Sequence, residues 1–167
     1  MDSKVASVVT TIAELEALYP TPSARAVNKR VTEISDAMQS KIEQASLCVL
    51  ASVGPNGVDC SPRGDPPGDL VKVLDPQTIA IPDRPGSNRL DTAKNIIANG
   101  QIGVWLLSPD LTETVRITGD AHISTDIQLL KQFELDQSVP VTVMVITIRE
   151  VAVHNDRAIK SSGLVAL

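Results

Sequence analysis

Two short segments concentrate the side chains that could do chemistry. Residues 60–68 read Cys-Ser-Pro-Arg-Gly-Asp-Pro-Pro-Gly, and residues 81–89 read Ile-Pro-Asp-Arg-Pro-Gly-Ser-Asn-Arg. Each combines prolines that stiffen the chain, glycines that allow close backbone approach, and arginines whose planar forks match pairs of phosphate oxygens. The second segment runs into a predicted helix, whose first N–H groups and positive dipole end favour an anion. Ser87 and Asn88 stand where N-caps stand and could act at the same place. Phosphate binding by Arg63, Arg84, Ser87, Asn88 and Arg89 is one reading of these loops. The other is that Asp65, Asp83 and Asp91 pair the arginines in ordinary turns, and the residues alone leave both open.

Other familiar chemistry is missing. There is no G-x-S-x-G elbow, no G-x-x-x-x-G-K-[ST] loop and no G-x-G-x-x-G after a strand. His122 and His154 are not spaced as zinc ligands and two separated cysteines do not build a zinc site, so no metal is expected. With 15 Lys and Arg against 20 Asp and Glu, the net charge of −5 opposes general attraction to a phosphate backbone. Tyr19, Trp105 and Phe133 are too few to stack single-stranded bases, so no nucleic acid partner is expected. No apolar run nears the ~20 residues that span a bilayer, and the segment from Met1 to Ala13 lacks the basic start of an export signal. The sequence therefore reads as soluble and cytoplasmic, with no membrane partner.

The loops need a scaffold. At 167 residues and 43% hydrophobic, the chain suits one domain, and a domain of this size buries roughly 70% of its unfolded surface without metal or disulfide. Residues 1–45 read as a helical arm packed on residues 46–167, the main domain with its C-terminal tail. Ile12, Leu15 and Leu18 mark a first helix that Pro20 and Pro22 must end. A second runs from Ser23 or Thr32 to Gln44, with Val27, Val31, Ile34, Met38 and Ile42 as one stripe. Strands are expected at Leu47–Val53, Val58–Ser61, Leu70–Leu74, Thr78–Ile81, Ile102–Leu107, Glu113–Ile123 and Pro140–His154, with a bulge at Gly119. Helices are expected at Arg89–Asn99, stopped by Gly100, and at Thr125–Leu135 behind Ser124 as N-cap.

Helices do not alternate regularly with these strands, which argues against a parallel sheet and for a small antiparallel barrel with peripheral helices. Cys48 and Cys60 flank the first hairpin. With a two-residue Asn56-Gly57 turn Cys60 opposes Val53, and with a four-residue loop it opposes Ala51. Neither register sets it beside Cys48, so both thiols are expected free and buried. Val139–Ile148 is apolar on both faces. One face fits the barrel, and the other needs the N-terminal helices or a second subunit, which predicts a homodimer.

The segments 61–68, 73–75, 81–86 and 88–91, then Asn95-Ile96, 113–116 with Gly119, and a looser tail of His154, Ala158 and 162–164, resemble relatives of pyridoxamine 5′-phosphate oxidase. That resemblance extends from about residue 19 to the end. It implies a mainly β fold with peripheral helices, a six-stranded antiparallel split barrel that binds FMN at a homodimer interface. It places Arg63, with Ser61 in the same motif, by the flavin phosphate, and Ser87, Asn88 and Arg89 at the helix start complete the anion site. Arg84 and Arg116 are further candidates. His154 and Lys160, in the tail, would reach the partner's cleft, because alternation sets His154 on the face of Met144, Ile146 and Ile148.

Some positions depart from the family pattern. Asp69 follows Pro-Pro-Gly where an apolar or aromatic residue is usual, and Asn155, Arg157, Ser161 and Val165 replace a cysteine, lysine, arginine and tryptophan of the tail. The phosphate loops are intact, and the second half of the cleft is altered. The implied function is an FMN-dependent oxidoreductase acting on an unknown small molecule, with His154 the best proton donor on offer and no catalytic residue assigned. The alternatives are a flavin-binding or sequestering module, or a barrel for another phosphorylated cofactor such as F420 or pyridoxal phosphate.

Overall fold

Side-chain alternation from Leu47 onward produces a sheet whose inner face is apolar in rows. The computed structural model describes residues 8–27, 29–109, 113–154 and 157–163, apart from the side chains of Arg25, Ala26, Ala158 and Lys160. It contains seven strands: β1 Leu47–Gly54, β2 Gly57–Gly64, β3 Lys72–Asp75, β4 Thr78–Asp83, β5 Gln101–Leu107, β6 Thr114–Ser124 and β7 Thr142–His154. They form one antiparallel sheet in the order β2-β1-β5-β6-β7-β4-β3. The seven segments read from the sequence are therefore all present, where six strands were implied, and β2 and β3 are the two edges. Around the sheet lie α1 Ile12–Ala17, α2 Ala24–Val27, α3 Asp36–Glu43, α4 Asp91–Asn99, α5 Ile127–Lys131 and α6 Arg157–Ser162. None of the described helices is long and apolar enough to cross a membrane.

Cross-strand register explains the core. Arg63, Cys48, Leu106, Val115 and Val153 form one row, and Ser61, Leu50, Val104, Ile117 and Val151 the next but one. Paired residues share a face, so both rows line the inner side, with Cys48, Leu50, Val104, Leu106, Val115, Ile117 and Val151 buried. The edge strand β2 runs three residues further than Ser61 and carries Pro62 and Arg63 inside it. Pro62 is tolerated because an edge strand can lose an N–H without breaking ladders on both sides. Cys60 opposes Ala51, as expected for the four-residue loop, but pairing continues through Val53 with Val58 to Gly54 with Gly57, so the turn itself is Pro55-Asn56. Cys48 therefore faces Arg63, and both cysteines are free, but Cys60 is exposed rather than buried.

The expected long second helix is broken. Its apolar stripe is real only from Ile34, since Val27 and Val31 are exposed while Ile34 and Ile42 enter the core. β4 covers β7 only between Thr142 and Thr147, which leaves the backbone of Val151 open on that side. Val31 fills the gap, exchanging two backbone hydrogen bonds with Val151 at 3.0 and 2.8 Å. A buried strand edge must find partners, and that requirement overrides the helical period. Packing of the arm begins there: α1 closes its own N-terminus with a Thr11/Glu14 capping box and buries no residue.

Two expectations about β7 are also corrected. Its second face, through Val143 and Val145, is covered by Leu130 of α5 and by Phe133, within the same chain. Neither the N-terminal helices nor a second subunit is needed for it. The register slips between Thr118/Gly119, where Glu150 pairs with Thr118 and Ile148 with Gly119, so Arg149 is an extra residue in β7. The bulge reverses the parity: Met144, Ile146 and Ile148 point inward before it, Val151 and Val153 after it. His154 therefore lies on the opposite face from Met144. Gly119 permits the slip, because a Cβ there would sit 2.2 Å from the Thr147 carbonyl oxygen. α5 is also shorter than expected, and its N-cap is Asp126, which accepts from Gln128 and Leu129, rather than Ser124.

Two outcomes follow. Burial pushes the Cys48 thiol up to about 12, with the nearby Arg63 charge opposing only part of that shift. A thiol reagent should modify Cys60 in the folded protein and Cys48 only on unfolding, as mass spectrometry with and without denaturant will show. Gly119→Ala should cost about 1–3 kcal/mol, the range for overpacked sites. Gly64→Ala, whose nearest contact is 3.5 Å, should be near neutral, both measured as denaturant midpoints.

Candidate functional site

The strand period of two places Asp59, Ser61 and Arg63 on the inner face of β2, each partly shielded, while Val58, Cys60, Pro62 and Gly64 face outward and are exposed. Opposite them the chain leaves β4 at Asp83 and crosses to α4 through residues 84–90. Between these walls lies a cleft in two compartments. One, of about 280 Å³, is lined by residues 62–64 and 83–90. The other, of about 210 Å³, is lined by residues 59–61, Arg63, Ser87 and residues 89–92. Arg63, Ser87, Arg89 and Leu90 border both. The structure thus brings Arg63, Arg84, Ser87, Asn88 and Arg89 to one cleft, with Ser61 at its second compartment.

Each arginine is held differently. Arg63 donates through Nη1 to Ser61 Oγ at 2.5 Å and to the Pro62 carbonyl at 3.0 Å. Its Nη2 lies 3.5 Å from Asp83. Arg84 donates Nε to Asp65 at 2.9 Å and Nη1 to the Phe133 carbonyl at 2.7 Å, and its Nη2 is buried with no hydrogen-bond partner among the described residues. Arg89 is the most open, with a side chain 76% exposed, and pairs with Asp91 at 2.8 Å. The arginines thus converge on one cleft, and each also faces an aspartate, as the turn reading expected.

The helix start differs from expectation. The N-cap of α4 is Leu90, in the left-handed region at φ 61° and without a side-chain cap, so Ser87 and Asn88 are not caps. Asn88 is also left-handed, at φ 57°. Asparagine tolerates that conformation, whereas for leucine it is strained, and such strain clusters at functional loops. The first N–H groups of α4 thus receive no bond from an N-cap side chain. Asp59 and Thr92, which sequence reasoning missed, belong here too: the buried Thr92 donates Oγ1 to Asp59 at 3.2 Å. Asp59 shares the parity of Ser61 and Arg63, a signal available once β2 is drawn through residue 63.

Two candidates lie elsewhere. Arg116 is exposed on β6, in the outward row of Pro62, Val49, Trp105 and Ala152, and does not border the cleft. His154, at the end of β7, falls in the row of Leu47, Leu107 and Thr114, on the sheet face opposite the main core, where Leu107 and Thr114 are themselves buried, and it does not border the cleft either. The Lys160 side chain lies outside the described residues.

Comparison with known proteins bears on the whole arrangement. A search of curated protein sequences finds no match. The structure of HupZ from Group A Streptococcus is similar, with a TM-score of 0.56, 18% identity, and coverage of 71% of this chain and 92% of that one. General Stress Protein 26 from Bacillus anthracis gives 0.52, 16%, 69% and 89%, and an F420 reductase 0.50, 17%, 74% and 100%. These likenesses establish a shared fold. The family model for pyridoxamine 5′-phosphate oxidase matches residues 34–155, a span that takes in both arginine loops and every strand of the sheet. By that match, this chain belongs to the pyridoxamine 5′-phosphate oxidase family.

Proposed function

We propose that the protein binds FMN in the arginine cleft and acts as an FMN-dependent oxidoreductase on a small molecule. The observation that carries this reading is the convergence of Arg63, Ser87, Asn88 and Arg89 on one cleft at the uncapped start of α4. The donor set suits a phosphate monoester: two guanidinium groups, a hydroxyl, an amide and the first helical N–H groups. Arg63 and Arg89 would hold the phosphate, Ser87 and Asn88 would orient it, and Arg84 would keep the loop in place. Bound FMN supplies the electron-transfer chemistry, while the protein supplies position and electrostatics.

Each compartment is smaller than the roughly 300–1,000 Å³ that encloses a drug-sized ligand. The phosphate and ribityl chain fit that space, and the ring would extend beyond it onto a further surface. A homodimer would provide one. The outer face of β1 and β2 exposes Leu47, Val53 and Val58 beside the half-buried Trp105, an apolar surface continuous with the strand that carries Ser61 and Arg63. His154 lies on the face of β7 opposite Met144 and would approach the partner's cleft, where it is our proposed proton donor. We place the protein in the cytoplasm on the same reading.

The visible spectrum of purified protein, followed by titration with FMN, riboflavin, F420 and pyridoxal phosphate, tests the ligand. Arg63→Glu and Arg89→Glu should each abolish FMN retention. A charge-assisted contact is worth about 1.5–3 kcal/mol, and reversal adds repulsion. Lys131→Glu, at an exposed position of α5, is the control. Preference for FMN over riboflavin should be large, and preference for F420 or pyridoxal phosphate would replace FMN in this reading. Bleaching of bound FMN by NADH or NADPH and its recovery in air distinguish an enzyme from a storage module. For assembly, light scattering should give a dimer, and Val58→Glu should give a folded monomer with weakened FMN binding. A wild-type monomer holding FMN tightly would defeat the shared site.

A further inference from the structure

The three arginine–aspartate pairs of the cleft are not equivalent, and the differences single out one acid. Arg84 and Asp65 are the most enclosed pair, with Arg84 also bonded to Phe133, so this pair is a strut. Arg89 and Asp91 are solvated, 76% and 41% exposed, and an exposed pair resists an incoming anion little. Asp59 accepts from Thr92 and borders only the smaller compartment. Arg63 and Asp83 differ from all of these. Both side chains are largely shielded, at 26% and 21% exposure, yet their closest approach is 3.5 Å, beyond a normal N–H···O bond. Arg63 is oriented without Asp83, because Ser61 Oγ and the Pro62 carbonyl both take its Nη1. The carboxylate therefore acts on the guanidinium by charge rather than by fixing its direction.

We propose that Asp83 sets the affinity of the cleft for phosphate, as an internal counter-ion that competes with the ligand's oxygens for Arg63. The ligand class is a phosphate monoester dianion or inorganic phosphate. The inference deepens the FMN reading and rests on it only for what the phosphate is attached to. A shielded carboxylate bordering the same compartment as Arg63, Ser87 and Arg89 repels a dianion at short range, where solvent and salt screen weakly. Its presence keeps the cleft closer to neutral, so a phosphate dianion binds less tightly than the arginines alone would allow, while the affinity for neutral ligands is left unaffected.

Asp83→Asn keeps the shape and removes the charge. The test compares it with the wild type and with Asp91→Asn in titrations with FMN and riboflavin, and in thermal unfolding with and without inorganic phosphate. Asp83→Asn should bind FMN about tenfold tighter, an effect of the size expected from one nearby charge. Riboflavin affinity should stay unchanged, and phosphate should raise the melting temperature of Asp83→Asn more than that of the wild type. Asp91→Asn should change FMN affinity much less. Unchanged or weaker FMN binding by folded Asp83→Asn would overturn the proposal and make Asp83 an orienting residue for Arg63. Should the wild type bind no FMN, the functional reading falls by itself, and the phosphate arm still decides: greater stabilisation of the variant upholds the role of Asp83, and equal or smaller stabilisation overturns it. If Asp83→Asn does not fold, Asp83→Ser takes its place with the same readouts.

Discussion

Arg84 ties together three stretches of chain that the sequence keeps apart. Its backbone follows the end of β4, its Nε holds Asp65 just after β2, and its Nη1 holds the carbonyl of Phe133 beyond α5. A guanidinium this enclosed depends on its acceptors, since removing one partner of a buried pair costs about 3–5 kcal/mol through the charge left behind. Lys72 reinforces the same place, with its ammonium 5.4 Å from the centre of the Phe133 ring and donating to the Gly68 carbonyl at 2.9 Å. Phe133 itself is fully buried against Ala80, Val143 and Val145. The wall of the cleft is thereby fastened to the sheet through a packed aromatic ring, and the loop over residues 84–90 has a fixed base.

With that base in place, the cleft can store both charge and strain. Its three arginines are each matched by an aspartate, which lets them gather in one place without mutual repulsion. Asn88 and Leu90 sit in left-handed backbone conformations on either side of Arg89, and the helix that follows starts without a side-chain cap. A loop built only for stability would use glycine at such positions or place serine or aspartate at the cap. The helix start without a side-chain cap and the strained approach to it border the same cleft as the side chains that β2 turns inward.

The sheet explains why those side chains face inward. β2 is an edge strand, so its inner face is only half covered, and the polar side chains of Asp59, Ser61 and Arg63 extend the row that further in is Cys48, Leu50 and Leu106. One face of one sheet therefore grades from core to site. The outer face of the same strands, with Leu47, Val53 and Val58, has no such gradient and stays apolar to the edge.

Much of this was legible in the residues. Alternation from Leu47 located every strand, Gly100 stopped α4 where expected, in a left-handed conformation at φ 80°, and the arginine loops marked the cleft because their residue types are unusual together. Local chemistry determines those features, since turns, caps and periods act over a few residues. The rest was settled by partners distant in the chain. The open edge of β7 at Val151 drew Val31 out of a helix, the carbonyl of Thr147 against Gly119 accompanied the slip that turned His154 to the other face, and Phe133 rather than a second subunit covered Val143. Whether each arginine met an aspartate or stood free was likewise a tertiary decision, because the sequence places Asp83 next to Arg84 and only the folded sheet carries it to Arg63.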